Sequence, residues 1–396
     1  MLGKIKSFLK DSAIYSISNA AYKGMGVITL PIYSKYLTLS QFGIFVILDP
    51  IITILAELLT AGQTNSILYF AKATETEQKR KRVFFTITVL VVSLNLLFIL
   101  LAHVWGTGVL QAIDQSGDVT GYLLFIIYIS IFRSVNNLFL NKLRADENSI
   151  AFTIITLIKI ASFVLAIIVL VAFYKFGVSG IMYAYLISEL LIFIILAIKM
   201  FSHFQFEFHS GIASESLKFG FPLIFSSVGI LLLNLSFRFL VNHFIDKASV
   251  GLYDFGYRIA GILNMFLIMP FNLTLMPSVY NVYETPGYER YYSKLMTYLC
   301  FITVWAGLAI SLMSEELVRL FALNSDYNNA FIVVPIIILA YIFSATRNVA
   351  SIGLLVKKKT SYIALLTLSM AILNILLNIY LIPVYGLIAA AYTTLF

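Results

Sequence analysis

The sequence predicts an all-α polytopic membrane protein of two six-helix bundles related by a parallel repeat, with the twelfth helix truncated. Three observations predict it. Of 396 residues, 60% are hydrophobic and only 12% charged, with a mean hydropathy of +0.94. A soluble domain is nearer ~45–50% apolar and ~25% charged, so this much apolar surface calls for lipid as its solvent. Apolar segments of membrane-crossing length follow one another along the chain, and the second half repeats the pattern of the first.

A helix crossing the ~30 Å hydrocarbon core needs about 20 mostly apolar residues. Spans are expected at 12–36, 43–70, 83–105, 120–141, 150–174 and 178–200, then at 219–244, 251–280, 292–313, 329–355 and 361–383. The first follows Lys4, Lys6 and Lys10, the charge pattern of a secretory signal. Its apolar run is too long for one and no small-residue cleavage site follows, so it reads as a retained span. A twelfth span begins at Gly386 and has 11 residues before Phe396. At ~1.5 Å per residue that is about 16 Å of helix, too short to cross. The expectation is a chain truncated inside its last helix, with a naturally short form as the alternative.

Lys and Arg fix the expected orientation. Seventeen lie in the N-terminal segment and the even-numbered loops, against Lys35, Lys175, Lys247 and Arg319 in the odd-numbered ones. Positive loops stay on the cytoplasmic side, so the N-terminus is expected there. The net charge of +8 belongs to those loops and not to a basic soluble domain, which argues against a nucleic-acid partner. One cysteine, Cys300, excludes an internal disulfide framework and a Cys-rich metal site. His203, Glu207 and His209 have a spacing that fits no standard metal site, so neither metal nor cofactor is expected.

The repeat pairs Ser40-Gln41-Phe42-Gly43-Ile44-Phe45 with Ala248-Ser249-Val250-Gly251-Leu252-Tyr253, the glycines standing 208 residues apart. The same offset pairs Lys10 with Lys218. Phe176-Gly177-Val178-Ser179-Gly180 matches Tyr385-Gly386-Leu387-Ile388-Ala389 one residue out of that register. An even number of helices per unit gives parallel repeats, related by an axis along the membrane normal. The expected lobes are 1–205, with helices 1–6, and 206–396, with helices 7–11 and the start of the twelfth.

Leu30-Pro31-Ile32-Tyr33-Ser34-Lys35-Tyr36-Leu37 followed by Ser40-Gln41-Phe42-Gly43 resembles the opening of polysaccharide repeat-unit flippases of the Wzx type, in the multidrug/oligosaccharidyl-lipid/polysaccharide (MOP) exporter superfamily. Ala248 to Tyr253 and Tyr385 to Ala391 resemble the family's matching turns in the second half. The resemblance covers essentially the whole chain and is carried by structural turns, with no catalytic signature. It implies a MATE/MOP-like fold and no catalytic residues. It also implies a flippase for undecaprenyl-diphosphate-linked oligosaccharide, of O-antigen (lipopolysaccharide) or capsule, in the bacterial inner membrane. A polysaccharide polymerase and a chain-length regulator are the protein partners such a function would have.

Charges inside the spans carry the rest. The cations are Lys23, Arg133, Lys159, Arg238, Arg258 and Arg347; the carboxylates are Asp49, Glu57, Glu189 and Asp254. A charge at mid-bilayer costs ~2.5–3.5 kcal/mol on insertion scales, so each is expected to face a partner, the protein interior or water. The cationic surplus suits an anionic ligand such as a diphosphate. Lys23, Arg238, Arg258 and Lys159 are the candidate substrate-binding residues. Asp49, Glu57 and Asp254 are candidates for charge pairing or for coupling to H+ or Na+. Asp254 and Arg258, four residues apart on one helix face, either neutralise each other or serve the ligand. Arg133 and Arg347 read as packing or snorkelling residues, and Glu189 as a structural partner. Pro31, Pro50, Pro222, Pro270, Pro277 and Pro335 interrupt spans, as hinges or as static kinks.

Two other functions compete. A MATE-type multidrug cation antiporter shares the fold, and the surplus of in-span cations argues against it. A membrane-embedded polysaccharide polymerase or ligase would carry a large external loop, and no loop here exceeds about 20 residues.

Overall fold

The computed structural model describes residues 18, 20–21, 24–73, 76–114, 117–272, 275, 287–356 and 360–395. Among them every regular element is helical and no strand occurs. In chain order these are α1 (Leu30–Tyr36), α2 (Leu39–Leu59), α3 (Gln63–Ala73), α4 (Glu77–Ile113), α5 (Leu123–Ala145), α6 (Ser149–Ile167) and α7 (Gly177–Phe201). The second half follows with α8 (Ser210–Phe244), α9 (Lys247–Leu263), α10 (Tyr288–Leu312), α11 (Ser314–Phe321), α12 (Val334–Ala350), α13 (Ile352–Val356), α14 (Thr360–Tyr385) and α15 (Leu387–Thr393). Two π-helical turns, Ile168–Phe173 and Asn264–Ile268, continue α6 and α9.

Among the described residues eight helices have the length and composition to cross a membrane: Leu39–Leu59, Glu77–Ala112, Thr120–Ala145, Ser149–Phe173, Gly177–Phe201, Tyr288–Leu312, Ser325–Leu354 and Leu365–Tyr385. Seven coincide with expected spans, whereas Leu39–Leu59 covers only part of the expected span 43–70, which a turn at 60–62 with positive φ at Ala61 and Gly62 divides into α2 and α3. The expected span 219–244 lies within α8, a single helix of 35 residues, and 12–36 and 251–280 run partly outside the described residues. Side-chain exposure is inverted relative to a soluble protein. Phe173, Ile198 and Leu312 are 75%, 74% and 83% exposed, whereas Glu189 and Asp254 are fully buried. A helix bundle with apolar faces outward and charge inward is stable in lipid, where every backbone group is satisfied within its own helix. The protein is an integral membrane protein.

The motif after the first span has a physical explanation. Thr38 and Gln41 form a reciprocal capping box at the start of α2, with Gln41 N–H donating to Thr38 Oγ1 at 3.2 Å and Thr38 N–H to Gln41 Oε1 at 3.1 Å. Their repeat equivalents, Asp246 and Ser249, cap α9 through Ser249 N–H to Asp246 Oδ1 at 2.6 Å. The glycines of the motif are needed for close approach. A Cβ on Gly43 would stand 1.8 Å from the Lys247 carbonyl oxygen, and one on Gly251 would stand 2.5 Å from that of Leu39. The two repeat-equivalent helix starts therefore cross backbone to backbone.

Two compact units form, one of residues 1–22 and 44–235, the other of 23–43 and 236–396. The expected lobes follow the sequence repeat. The compact units differ from them: α2 and α8 each begin in one unit and end in the other. In the first unit α3, α4, α5, α6 and α7 pack on one another around Phe84, Ile87, Leu138, Phe139, Ile192 and Leu196. In the second, Tyr33, Phe42, Phe255 and Tyr327 form an aromatic core with centroids 5.0–6.3 Å apart. The Tyr327 hydroxyl donates to the carbonyls of Leu37 and Thr38, holding the turn before α2.

Pro31 and Pro335 stand in the first turn of α1 and α12, where a missing N–H leaves no bond unmade. Pro50 and Pro222 lie inside the continuous helices α2 and α8, Pro270 is in helical backbone, and Pro277 lies outside the described residues. Pro383, absent from the expected bends, lies inside α14.

Candidate functional site: two buried charge clusters

The in-span charges collect into one cluster in each unit. In the first unit Glu189 of α7 is the hub. It accepts from Arg133 Nε of α5 at 2.9 Å and from Lys159 Nζ of α6 at 2.8 Å, both on Oε1. Asn136 Nδ2 donates to Oε2 at 2.9 Å and to the Glu189 carbonyl at 2.9 Å. Arg133 also donates through Nη1 to Thr53 Oγ1 at 3.1 Å, and the same nitrogen is 3.6 Å from Asp49 Oδ1 on α2. Its guanidinium lies over the Tyr185 ring, 5.0 Å from the centroid. Among the described residues two cations and two carboxylates balance.

In the second unit Asp254 of α9 is the hub. Arg238 of α8 donates through Nη2 and Nε to Oδ1 at 2.6 and 3.1 Å, and Arg258, one turn along α9, donates through Nε to Oδ2 at 2.6 Å. Arg258 Nη1 reaches the Gly26 carbonyl at 3.5 Å and its guanidinium lies over Phe42 at 5.7 Å. Asp254 is fully buried, while the two arginine side chains keep 12% and 19% exposure. Among the described residues the two guanidiniums share one carboxylate. Arg238 Nη1 is buried and has no hydrogen-bond partner. An orphaned donor on a desolvated cation is held only at a free-energy cost unless something accepts from it.

The candidate residues are thus distributed as follows. Arg238, Arg258 and Asp254 come together, and the Asp254–Arg258 pairing open in the sequence is present. Lys159 and Asp49 come together in the other unit, around Arg133 and Glu189. Arg133 is buried and bonded on three sides, so it does not snorkel. Glu57 is half-buried against the Ser227 hydroxyl of α8 and makes no ion pair among the described residues. Lys23 lies outside the described residues; among the described residues no group of three or more His, Cys, Asp or Glu could hold a metal. Sequence reasoning left Arg133 and Glu189 out of the candidate set and did not name Asn136 or Thr53. Their only signal was that an in-span charge needs a partner. Partners 56 residues apart on separate helices cannot be matched by spacing.

A family profile described as polysaccharide biosynthesis protein matches residues 8–281, more than two thirds of the chain. The chain belongs to this polysaccharide biosynthesis protein family. A search of curated sequences finds no significant match. Among solved structures, the fold is similar to a lipid II flippase, MurJ, in an inward closed conformation, with a TM-score of 0.80 at 15% identity, over 97% of this chain and 84% of that one. It is also similar to an inward-facing MATE multidrug resistance transporter of the MOP superfamily, with a TM-score of 0.71 at 14% identity, over 96% and 90%. A MOP superfamily transporter from Pyrococcus furiosus, reported with reversed polarity in its binding pocket, is similar at a TM-score of 0.60 and 15% identity, over 98% and 92%. The family member described here therefore has the fold of the MOP superfamily transporters, and the structural neighbours named are a flippase and transporters.

Proposed function

We propose that this protein is a flippase. It moves undecaprenyl-diphosphate-linked oligosaccharide repeat units, of O-antigen or capsular polysaccharide, from the cytoplasmic to the periplasmic leaflet of the bacterial inner membrane by alternating access. The observation that carries the reading is the Arg238–Asp254–Arg258 cluster, in which two arginines meet one carboxylate among the described residues and Arg238 Nη1 is buried and unbonded. A diphosphate supplies acceptors for guanidinium donors through charge-assisted hydrogen bonds, which are about twice as strong as neutral ones. Family membership supports a polysaccharide precursor as cargo, and the positive-inside distribution supports a cytoplasmic N-terminus. An antiporter for organic cations would be served by surplus carboxylate, the opposite of what this cluster holds. Coupling to H+ or Na+ falls in this reading to Glu57, the in-span carboxylate without an ion pair among the described residues. A polymerase and a chain-length regulator would act on the delivered units.

The test is complementation of a strain lacking its own O-unit flippase, at matched expression. The wild-type chain is expected to restore surface polymer, Arg238→Ala and Arg258→Ala to abolish it, and Arg238→Lys to restore it weakly because an ammonium lacks the planar fork. Resistance to cationic dyes without restored polymer would overturn the reading in favour of an antiporter.

A further inference from the structure

An apolar groove of 440 Å³ runs along the outside of the first unit, lined by Val89, Ser93 and Leu97 on α4, by Phe208 of the connecting segment and by Leu217 of α8. Its size falls in the ~300–1,000 Å³ range of ligand pockets. The end nearest the start of α4 is fixed by the connecting segment. His209 N–H donates to Thr86 Oγ1 at 3.2 Å, Arg82 Nη2 pairs with Glu207 Oε2 at 2.6 Å, and Phe204 stacks on Phe84 with centroids 5.0 Å apart.

Above that end stands the run Lys79-Arg80-Lys81-Arg82, in which Lys79 and Arg82 are three residues apart and share a helix face. The carboxylates nearby are Glu77, Glu207 and Glu215. Glu77 is bound to Lys81 at 3.1 Å and Glu207 to Arg82. Lys79 is exposed and makes no ion pair among the described residues, and Arg82 Nε is buried with no hydrogen-bond partner. Arg82 precedes Val89 and Ser93 by seven and eleven residues, two and three helical turns, so all three share a face. At ~1.5 Å per residue the groove begins about 10 Å below Arg82 and ends about 22 Å below it at Leu97. That is the path of an acyl chain from its head group to the middle of a ~30 Å hydrocarbon core.

We propose that the groove and the basic turn above it bind an anionic phospholipid. Its phosphate is held by Lys79 and Arg82, three residues apart on one face of α4, and one acyl chain lies along Val89, Ser93 and Leu97. Charge at the head and an apolar furrow at acyl depth select this occupant over a zwitterionic lipid. The site is separate from the Arg238 cluster and does not depend on the transport reading.

The test uses the full chain in vesicles with phosphatidylglycerol carrying a diazirine in its acyl chain, and a phosphatidylcholine probe with the same chain. After illumination, labelled peptides are mapped by mass spectrometry. Label from phosphatidylglycerol is expected on residues 89–97 and 217, well above that from phosphatidylcholine. Lys79→Glu is expected to lower it by about fivefold or more, the factor set by one lysine near an anionic surface. Ser93→Trp, or Leu97→Trp should the first not fold, is expected to remove it by filling the furrow while the protein stays monodisperse. Equal labelling by both probes would overturn the proposal. So would labelling undiminished by either tryptophan, or displacement of the probe by undecaprenyl phosphate and not by unlabelled phosphatidylglycerol.

Discussion

Glu189→Gln is a direct probe of the first charge cluster. The substitution keeps the shape of the side chain and one acceptor oxygen and removes the charge. Arg133 Nε and Lys159 Nζ both bond to Oε1 of a fully buried carboxylate. Without its charge their remaining counter-ion among the described residues is Asp49, about one third exposed and 3.6 Å from Arg133. Deleting one partner of a buried pair costs about 3–5 kcal/mol, because it strands the other charge. In domains of 150–250 residues each kcal/mol moves Tm by about 2–4 °C, so a fall on the order of 10 °C is expected. Glu189→Gln/Lys159→Met removes the stranded ammonium and leaves Arg133 to Asp49. The double variant is therefore expected to melt higher than the single one. The assay is size-exclusion of detergent-solubilised protein after stepwise heating. A single variant within about 2 °C of wild type, or a double variant below the single, would refute the account of Glu189 as an electrostatic hub.

The remaining predictions concern backbone and packing. Gly43→Ala places a Cβ 1.8 Å from the Lys247 carbonyl and is expected to cost more than the ~1–3 kcal/mol of ordinary overpacking. Gly229→Ala, with nothing within 4 Å inside α8, is expected to stabilise by up to about 1 kcal/mol, and heating curves of the two should move in opposite directions. Tyr327→Phe leaves two buried carbonyl contacts without their donor and is expected to cost about 1–3 kcal/mol with no change in expression topology. Glu147→Gly relieves a φ of +57° after α5 and is expected to raise Tm, since the left-handed region costs an L-residue about 1–2 kcal/mol; an unchanged Tm would remove the strain argument.

The fold was legible because hydropathy and repeat both act over whole helices. A run of apolar residues needs lipid wherever it lies, and the pairing of Gly43 with Gly251 marked two equivalent helix starts that the structure places in contact. The capping residues Thr38 and Asp246 could have been read from the same offset, since each precedes its glycine by five residues. The composition of the charge clusters was not legible. The offset of 208 carries Asp49 to Tyr257 and Arg133 to Tyr341. The contact that is an Asp49–Arg133 ion pair in one unit is a Tyr257–Tyr341 ring contact, 5.8 Å between centroids, in the other. The repeat preserves which helices touch and not what chemistry they use. The partition of α2 and α8 between the two compact units was hidden for a related reason: a continuous helix carries no mark of where its neighbours change.

That substitution of chemistry within a common scaffold separates the two clusters by role. Around Glu189 each described cation has a carboxylate within 4 Å and the charges of the described residues sum to zero, so removing any member strands another and the effect should fall on folding. Around Asp254 two arginines share one carboxylate and Arg238 Nη1 remains unbonded. Removing Arg238 takes away one of the two arginines and an orphaned donor, and it leaves Asp254 still paired to Arg258. Its effect should therefore fall on cargo binding more than on stability. A variant set in which Glu189→Gln melts early while Arg238→Ala melts normally and fails to deliver polymer would assign structure to one cluster and recognition to the other. If Arg238→Ala melted as early as Glu189→Gln, Arg238 would be structural as well, and the anionic cargo would lose its principal support in the geometry.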